Sequence, residues 1–226
     1  MPPLPHVNRL GPCRLLFVMA TDHEYGPRLR ARISPLLTGV GPIEGAAATA
    51  AALGALVAAG EIPDAVVSLG SAGSRRLPLG EVYQVSEVSW RDMDASPLGF
   101  ARGVTPFATF PTVIDLPTPL EGVPTATLST GADVVVGAAY NAIEADMVDM
   151  ETYAVARACA RFGMPLIGLR GVSDGAAEGE RLDWTALLGL LDERLASAVD
   201  QLRSSRLLIS AEHEPCLSSF ERASSG

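Results

Sequence analysis

Short unbroken apolar runs alternate with alanine-rich or amphipathic segments along this chain. Residues 15–20 (LLFVMA), 65–69 (AVVSL) and 165–169 (PLIGL) are continuous apolar stretches bounded by polar or glycine-containing turns. Such runs mark strands covered on both faces, because a strand with one wet face would alternate. Residues 43–59 are nearly all small and rich in alanine, which predicts a helix packed closely on a sheet, with Gly60 placed to end it. Two more helices are expected: 149–162, with an apolar stripe at Met150, Ala154, Ala158 and Phe162, and 184–203, an amphipathic stretch that includes Leu187, Leu188, Leu191, Leu195 and Leu202. Strand-like runs also occupy 36–41, 81–88, 125–129 and 134–136. Residues 97–124 hold many prolines and no clear period, which predicts a long loop of the kind that often carries function.

Strands alternating with helices argue for a mostly parallel sheet with helices on both faces. In such sheets ligands sit at the carboxyl ends of the strands. Residues 1–13 read as a proline-rich disordered leader, 14–203 as a single domain and 204–226 as a disordered tail of serine and charge.

Composition narrows the possibilities. The chain has 226 residues, 48% hydrophobic, ample for one α/β core. A net charge of −9 repels phosphate backbones, so nucleic acid is not an expected partner. Cys13, Cys159 and Cys216 lie far apart with no CxxC spacing, and His6, His23 and His213 are scattered, so neither a metal site nor a disulfide framework is expected. The start lacks the layout of a signal peptide and the longest apolar stretch falls short of a membrane span, which points to a cytoplasmic protein with no membrane partner.

The polar signals cluster where strands are expected to end. Glu24 follows the first strand, within Thr-Asp-His-Glu-Tyr; it could take a proton from water, or it could be an exposed residue favoured by a helix dipole. Gly70-Ser71-Ala72-Gly73 follows another strand and lets backbone approach a ligand, although many strand–helix turns look alike. Glu151 opens a helix behind Met150 and could accept hydrogen bonds from two hydroxyls, or lie on a solvated face. Asp174, preceded by Arg170 and Ser173, could donate a proton, or cap the next element.

Taken in order, these pieces resemble the nucleoside phosphorylase superfamily, and within it the branch of 5′-methylthioadenosine/S-adenosylhomocysteine nucleosidases. The resemblance spans roughly residues 15–202 and is carried best by VDMETYAVARACARFGMPLIGLRGVSD (148–174), SLGSAG (68–73) and RDMDASPLGF (91–100). It implies a phosphorylase/hydrolase-like fold: one α/β domain in three α/β/α layers around a twisted, mixed central sheet. It implies cleavage of the N-glycosidic bond of a purine nucleoside without a cofactor. Asp174 would protonate the base with Ser173 steadying it, and Glu24 would activate water. Ser71, Ala72 and Gly73 would lie near the water and ribose, while Met150 and Glu151 would hold the ribose. Arg170 would anchor the site, and Val135, beside Val134, would bond the base edge through its backbone. The family often stacks an aromatic side chain on the base where this chain has Val134; Phe107 or Phe110 of the long loop could supply one. Its nucleosidases are typically homodimers, so a second copy is an expected partner besides the nucleoside.

Two rivals remain. A phosphorylase of the same fold would use phosphate in place of water; Asp22 and Glu24 in the first turn oppose it, while Arg28, Arg30, Arg32 and Arg91 could serve it. An inactive nucleoside-binding protein would keep the binding contacts and lose the acid or the base, whereas both carboxylates are present here.

Overall fold

The computed structural model describes residues 3–175 and 184–203. Nine strands form one mixed sheet. In chain order they are β1 (Asn8–Leu10), β2 (Cys13–Met19), β3 (Leu36–Leu37), β4 (Ala65–Ser74), β5 (Val82–Trp90), β6 (Val113–Asp115), β7 (Thr125–Thr130), β8 (Met147–Asp149) and β9 (Leu166–Gly175). Four helices accompany them: α1 (Pro27–Arg30), α2 (Pro42–Ala58), α3 (Thr152–Ala160) and α4 (Leu188–Leu202).

The apolar runs do what their continuity requires, sending successive side chains to opposite faces. Leu15, Phe17 and Met19 of β2 join Val67, Leu69, Ile167 and Leu169 under Leu191, Leu195 and Val199 of α4. Leu16 and Val18 join Val66 and Leu166 on the other face, under Leu53 and Leu56 of α2 and Val155 and Cys159 of α3. The result is the expected α/β/α layering. In α2 the buried positions Gly45, Thr49, Ala52, Leu53 and Leu56 trace one helical stripe. Pro42 in its first turn lacks only an amide proton that would have no intrahelical acceptor.

β4 and β9 are each ten residues long and pair in parallel from Val66–Leu166 to Ser74–Gly175. β9 also pairs antiparallel with β5, β5 in parallel with β7, and β7 in parallel with β8. β8 returns to β4 through an antiparallel bridge between Val148 and Gly73, so these five strands close on themselves. That closure brings the carboxyl-terminal halves of β4 and β9 beside β8.

Several sequence expectations change. Gly70-Ser71-Ala72-Gly73 and Ser173-Asp174 lie inside β4 and β9, because pairing between the two strands carries both past the point where the apolar runs stop. The 1–13 leader contains β1, whose Asn8 and Leu10 pair with Leu15 and Cys13 and are buried. Residues 134–136 form no strand; a short 3₁₀ turn, Gly137–Ala142, follows them. The helix expected from residue 149 starts at Thr152, and β8 precedes it. The 204–226 tail lies outside the described residues.

Candidate active site

A pocket of about 450 Å³ opens where β2, β4, β8 and β9 end. That size suits a small organic ligand, for which about 300–1,000 Å³ is usual. Glu24, Ser71, Ala72, Gly73, Val134, Val135, Met150, Glu151 and Asp174 all line it.

Glu24 enters from the turn after β2. Thr21, in extended conformation, caps a single 3₁₀ turn by accepting the amide proton of His23 on its side chain. The turn swings Glu24 inward, leaving it 8% exposed. Its Oε1 accepts the amide proton of Ser71 at 2.7 Å and the Ser71 hydroxyl proton at 2.6 Å. Burial raises the Glu24 pKa above the ordinary carboxylate range, and the two Ser71 bonds oppose that rise. The alternative of an exposed first-turn glutamate is therefore closed. Gly70 makes room, since a Cβ there would stand 3.3 Å from Glu24 Oε1.

Glu151 precedes α3, makes no side-chain bond to that helix, and reaches across to the start of α2, where its Oε1 accepts the Gly41 amide proton at 2.7 Å. Burial, with the charge of Asp149 nearby, pushes its pKa up to about 7. It stays partly exposed, with Met150, at the pocket wall.

Asp174 arrives by an irregularity. The β4–β9 register shifts between Ala72 and Gly73, so that Ala72 faces Val172 and Gly73 faces Asp174. Ser173 is the extra residue of a bulge, which re-aims side chains that would otherwise point to opposite faces. As a result the Ser173 hydroxyl donates to Asp174 Oδ1 at 2.6 Å. Ser173 is buried behind the carboxyl it holds.

Arg170 lies beneath the pocket floor, 2% exposed. Its guanidinium donates to Asp149 Oδ2, to Thr152 Oγ1, to Ser68 Oγ and to the carbonyls of Ser68 and Leu169. With its donors so engaged, it anchors the site through protein groups rather than by reaching into the pocket. The residue at the centre of that network, Asp149, carries no signal in the sequence beyond its place before Met-Glu. It accepts from Thr130 Oγ1 at 2.6 Å and from the Thr152 amide at 3.0 Å, and fixes the turn that presents Met150 and Glu151.

The Arg-Asp-Met-Asp segment also finds its use here. Arg91 donates to the carbonyls of Ser129 at 2.7 Å, Asp149 at 3.0 Å and Asp133 at 2.7 Å, and pairs with the Asp133 carboxylate at 3.2 Å. Asp92 accepts the Ala132 amide proton at 2.6 Å. Together they pin the loop that carries Val134 and Val135 over the pocket. Phe107 is 97% exposed and Phe110 packs against the Arg157 guanidinium, so neither supplies the aromatic face expected near Val134. The aromatic groups on the pocket wall are Trp184 and His23, with ring centroids 6.4 Å apart. Sequence reasoning missed both, because they sit 161 positions apart in the chain (184 − 23) and meet only in the fold.

Comparison with known proteins places the chain in a family. Residues 125–203 match the model of the phosphorylase superfamily. The 5′-methylthioadenosine/S-adenosylhomocysteine nucleosidase of Actinobacillus succinogenes is 32% identical over 164 residues, covering 64% of this chain and 68% of the relative. The enzyme of the same name from Chromohalobacter salexigens is 28% identical over 173 residues, covering 68% of this chain and 71% of the relative. The fold matches the crystal structure of the Neisseria meningitidis nucleosidase with methylthio-immucillin-A at a TM-score of 0.70 and 22% identity, over 84% of this chain and 98% of that one. The chain belongs to the 5′-methylthioadenosine/S-adenosylhomocysteine nucleosidase family of the phosphorylase superfamily.

Proposed function

We propose that this protein hydrolyses the N-glycosidic bond of a purine nucleoside such as 5′-methylthioadenosine or S-adenosylhomocysteine, releasing the base and a 5-substituted ribose. The observation that carries the reading is the separation of two carboxyl groups into different settings on one pocket: Glu24 buried and bound to Ser71, Asp174 steadied by Ser173. Two carboxyl groups held on one pocket by different partners give the site one group to donate a proton and another to accept one.

In this reading Asp174 delivers its proton to a nitrogen of the base, which then leaves as a neutral group. The ribose gains positive character as the bond breaks, and Glu151 holds its hydroxyls. Glu24 orients water beneath the anomeric carbon and takes its proton, with Ser71 keeping the carboxylate in place. The backbone around Val135 meets the base edge, and Arg91 with Asp92 holds that backbone still. Trp184 and His23 offer the apolar surface at the pocket rim.

Phosphorolysis fits less well. Among the four arginines that could have served phosphate, Arg91 alone lines the pocket, and it is committed to Asp133 and three carbonyls. Arg30 pairs with Asp22 and Arg32 with Asp200 at the surface.

The protein works as a homodimer in the cytoplasm on this account. Leu98 and Phe107 are 73% and 97% exposed on the long loop, a surface suited to a second copy. No helix among the described residues is long and apolar enough to cross a membrane. Incubation with 5′-methylthioadenosine should release adenine, read by chromatography. Tight binding without release would make the protein a nucleoside-binding module instead.

A further inference from the structure

Tyr140 stands in the 3₁₀ turn Gly137–Ala142, packed with Val135 and Val148 beneath the loop that borders the pocket. It is 5% exposed, and its hydroxyl has no hydrogen-bond partner among the described residues. A buried hydroxyl left unpaired costs about 1–3 kcal/mol, so such a group calls for an explanation.

Its position supplies one. A Cβ at Gly73 would collide with the Tyr140 hydroxyl and would lie 3.1 Å from Asp174 Oδ2. Hydroxyl and carboxyl oxygen thus both stand over the same bare Cα, not hydrogen-bonded to each other, and only glycine leaves them that space. Ser173 already donates to the other oxygen, Oδ1. Oδ2 is then the oxygen left to carry the acid's proton.

We propose that Tyr140 is a positioning residue for the acid: its hydroxyl donates a hydrogen bond to Oδ2 of Asp174 once that oxygen has given its proton to the base. The proton moves from Oδ2 to the base nitrogen, while Tyr140 keeps its own and stabilises the carboxylate left behind. Burial and the neighbouring Asp174 push the Tyr140 phenol up to about 12, so it stays a donor throughout the working range. The inference rests on Asp174 being the acid.

Other titratable and charged groups share the pocket wall with Asp174. The pocket presents His23 and Glu24 from the turn after β2, Arg91 and Asp133 from the base-side loop, and Asp149 and Glu151 from the β8–α3 junction. The charges of Arg91 and Arg75 also act on Tyr140. All are unchanged in Tyr140→Phe, so a comparison of that variant with the parent isolates the hydroxyl.

The test is the pH profile of kcat for Tyr140→Phe, with thermal melting alongside. Loss of one hydrogen bond to a charged group should lower kcat roughly tenfold or more. Removing a donor disfavours the charged form of a carboxylate, so the alkaline limb of the kcat profile should move up by about one unit. KM should change little. Gly73→Ala, which forces the hydroxyl away, should move the limb in the same direction. An unchanged kcat and profile, together with a raised Tm, would mark an idle buried hydroxyl and overturn the proposal. Asp174→Asn separates the two levels: full turnover in that variant would remove the acid itself, whereas an inactive Asp174→Asn beside a parent-like Tyr140→Phe would sink the Tyr140 role alone.

Discussion

Each carboxyl of the site is held by a different neighbour, and the consequences can be measured one residue at a time. Asp174→Asn preserves shape and the Ser173 contact but has no proton to give. Its kcat should fall by roughly 10²–10⁴-fold, the usual worth of a general acid, with nucleoside binding retained; near-parental turnover would place the acid elsewhere. Glu151 makes a statement about stability. Its pKa in the folded chain is about 7, raised above the ordinary carboxylate value by burial and Asp149. Between about pH 4.5 and 7 the unfolded chain therefore releases this proton while the folded chain keeps it, and stability contributed at low pH is lost as pH rises through that window. The melting temperature of the ligand-free protein should fall across this range, and Glu151→Gln should flatten the fall. An equally steep slope in the variant would assign it to other groups. In the sequence Glu24 and Asp174 draw attention as polar groups that follow apolar runs and Glu151 as one that opens a helix, and the family resemblance supplies their expected roles. Tyr140 and Asp149 draw no such attention, since their meaning lies in contacts with Gly73 and Arg170, far away in the chain.

The elements place these residues through two devices. One is the bulge at Ser173, which lets consecutive residues of β9 face the same way. A bulge leaves no mark on hydrophobic periodicity, and strands as short as β1 and β8 are too brief to show a period at all. That is why the long apolar runs were read correctly while their extensions and small partners were not. The other device is the buried Arg170–Asp149 pair, which ties β9 to the β8–α3 junction at 3.1 Å. Both side chains are almost wholly inaccessible, so removing one partner strands the other's charge. Such a loss typically costs about 3–5 kcal/mol. At about 2–4 °C per kcal/mol for a domain of this size, Arg170→Met should lower Tm by roughly 6–20 °C. The double variant Arg170→Met/Asp149→Asn should recover part of that. A melting curve for Arg170→Met like the parent's would show that the pair does not hold the junction.

Across the whole molecule, the closed ring of β4, β9, β5, β7 and β8 gathers the ends of strands onto one pocket, and the chemistry depends on what that pocket admits. The central claim is that it admits water rather than phosphate to the anomeric carbon. In the proposed reaction Glu24 stands at that position. At about 4 Å and an effective dielectric near 20, a unit of like charge costs roughly 4 kcal/mol, which a phosphate ion would meet there if Glu24 is ionised. Arg91, which lines the pocket, is already committed to Asp133 and to backbone carbonyls, and Arg170, close to Glu24, is engaged by Asp149, Thr152 and Ser68. The direct measurement is the initial rate with 5′-methylthioadenosine in phosphate-free buffer and again with phosphate added, identifying the sugar product each time. Hydrolysis requires free 5-methylthioribose at the same rate in both. A sugar 1-phosphate, or a rate that vanishes without phosphate, would contradict it.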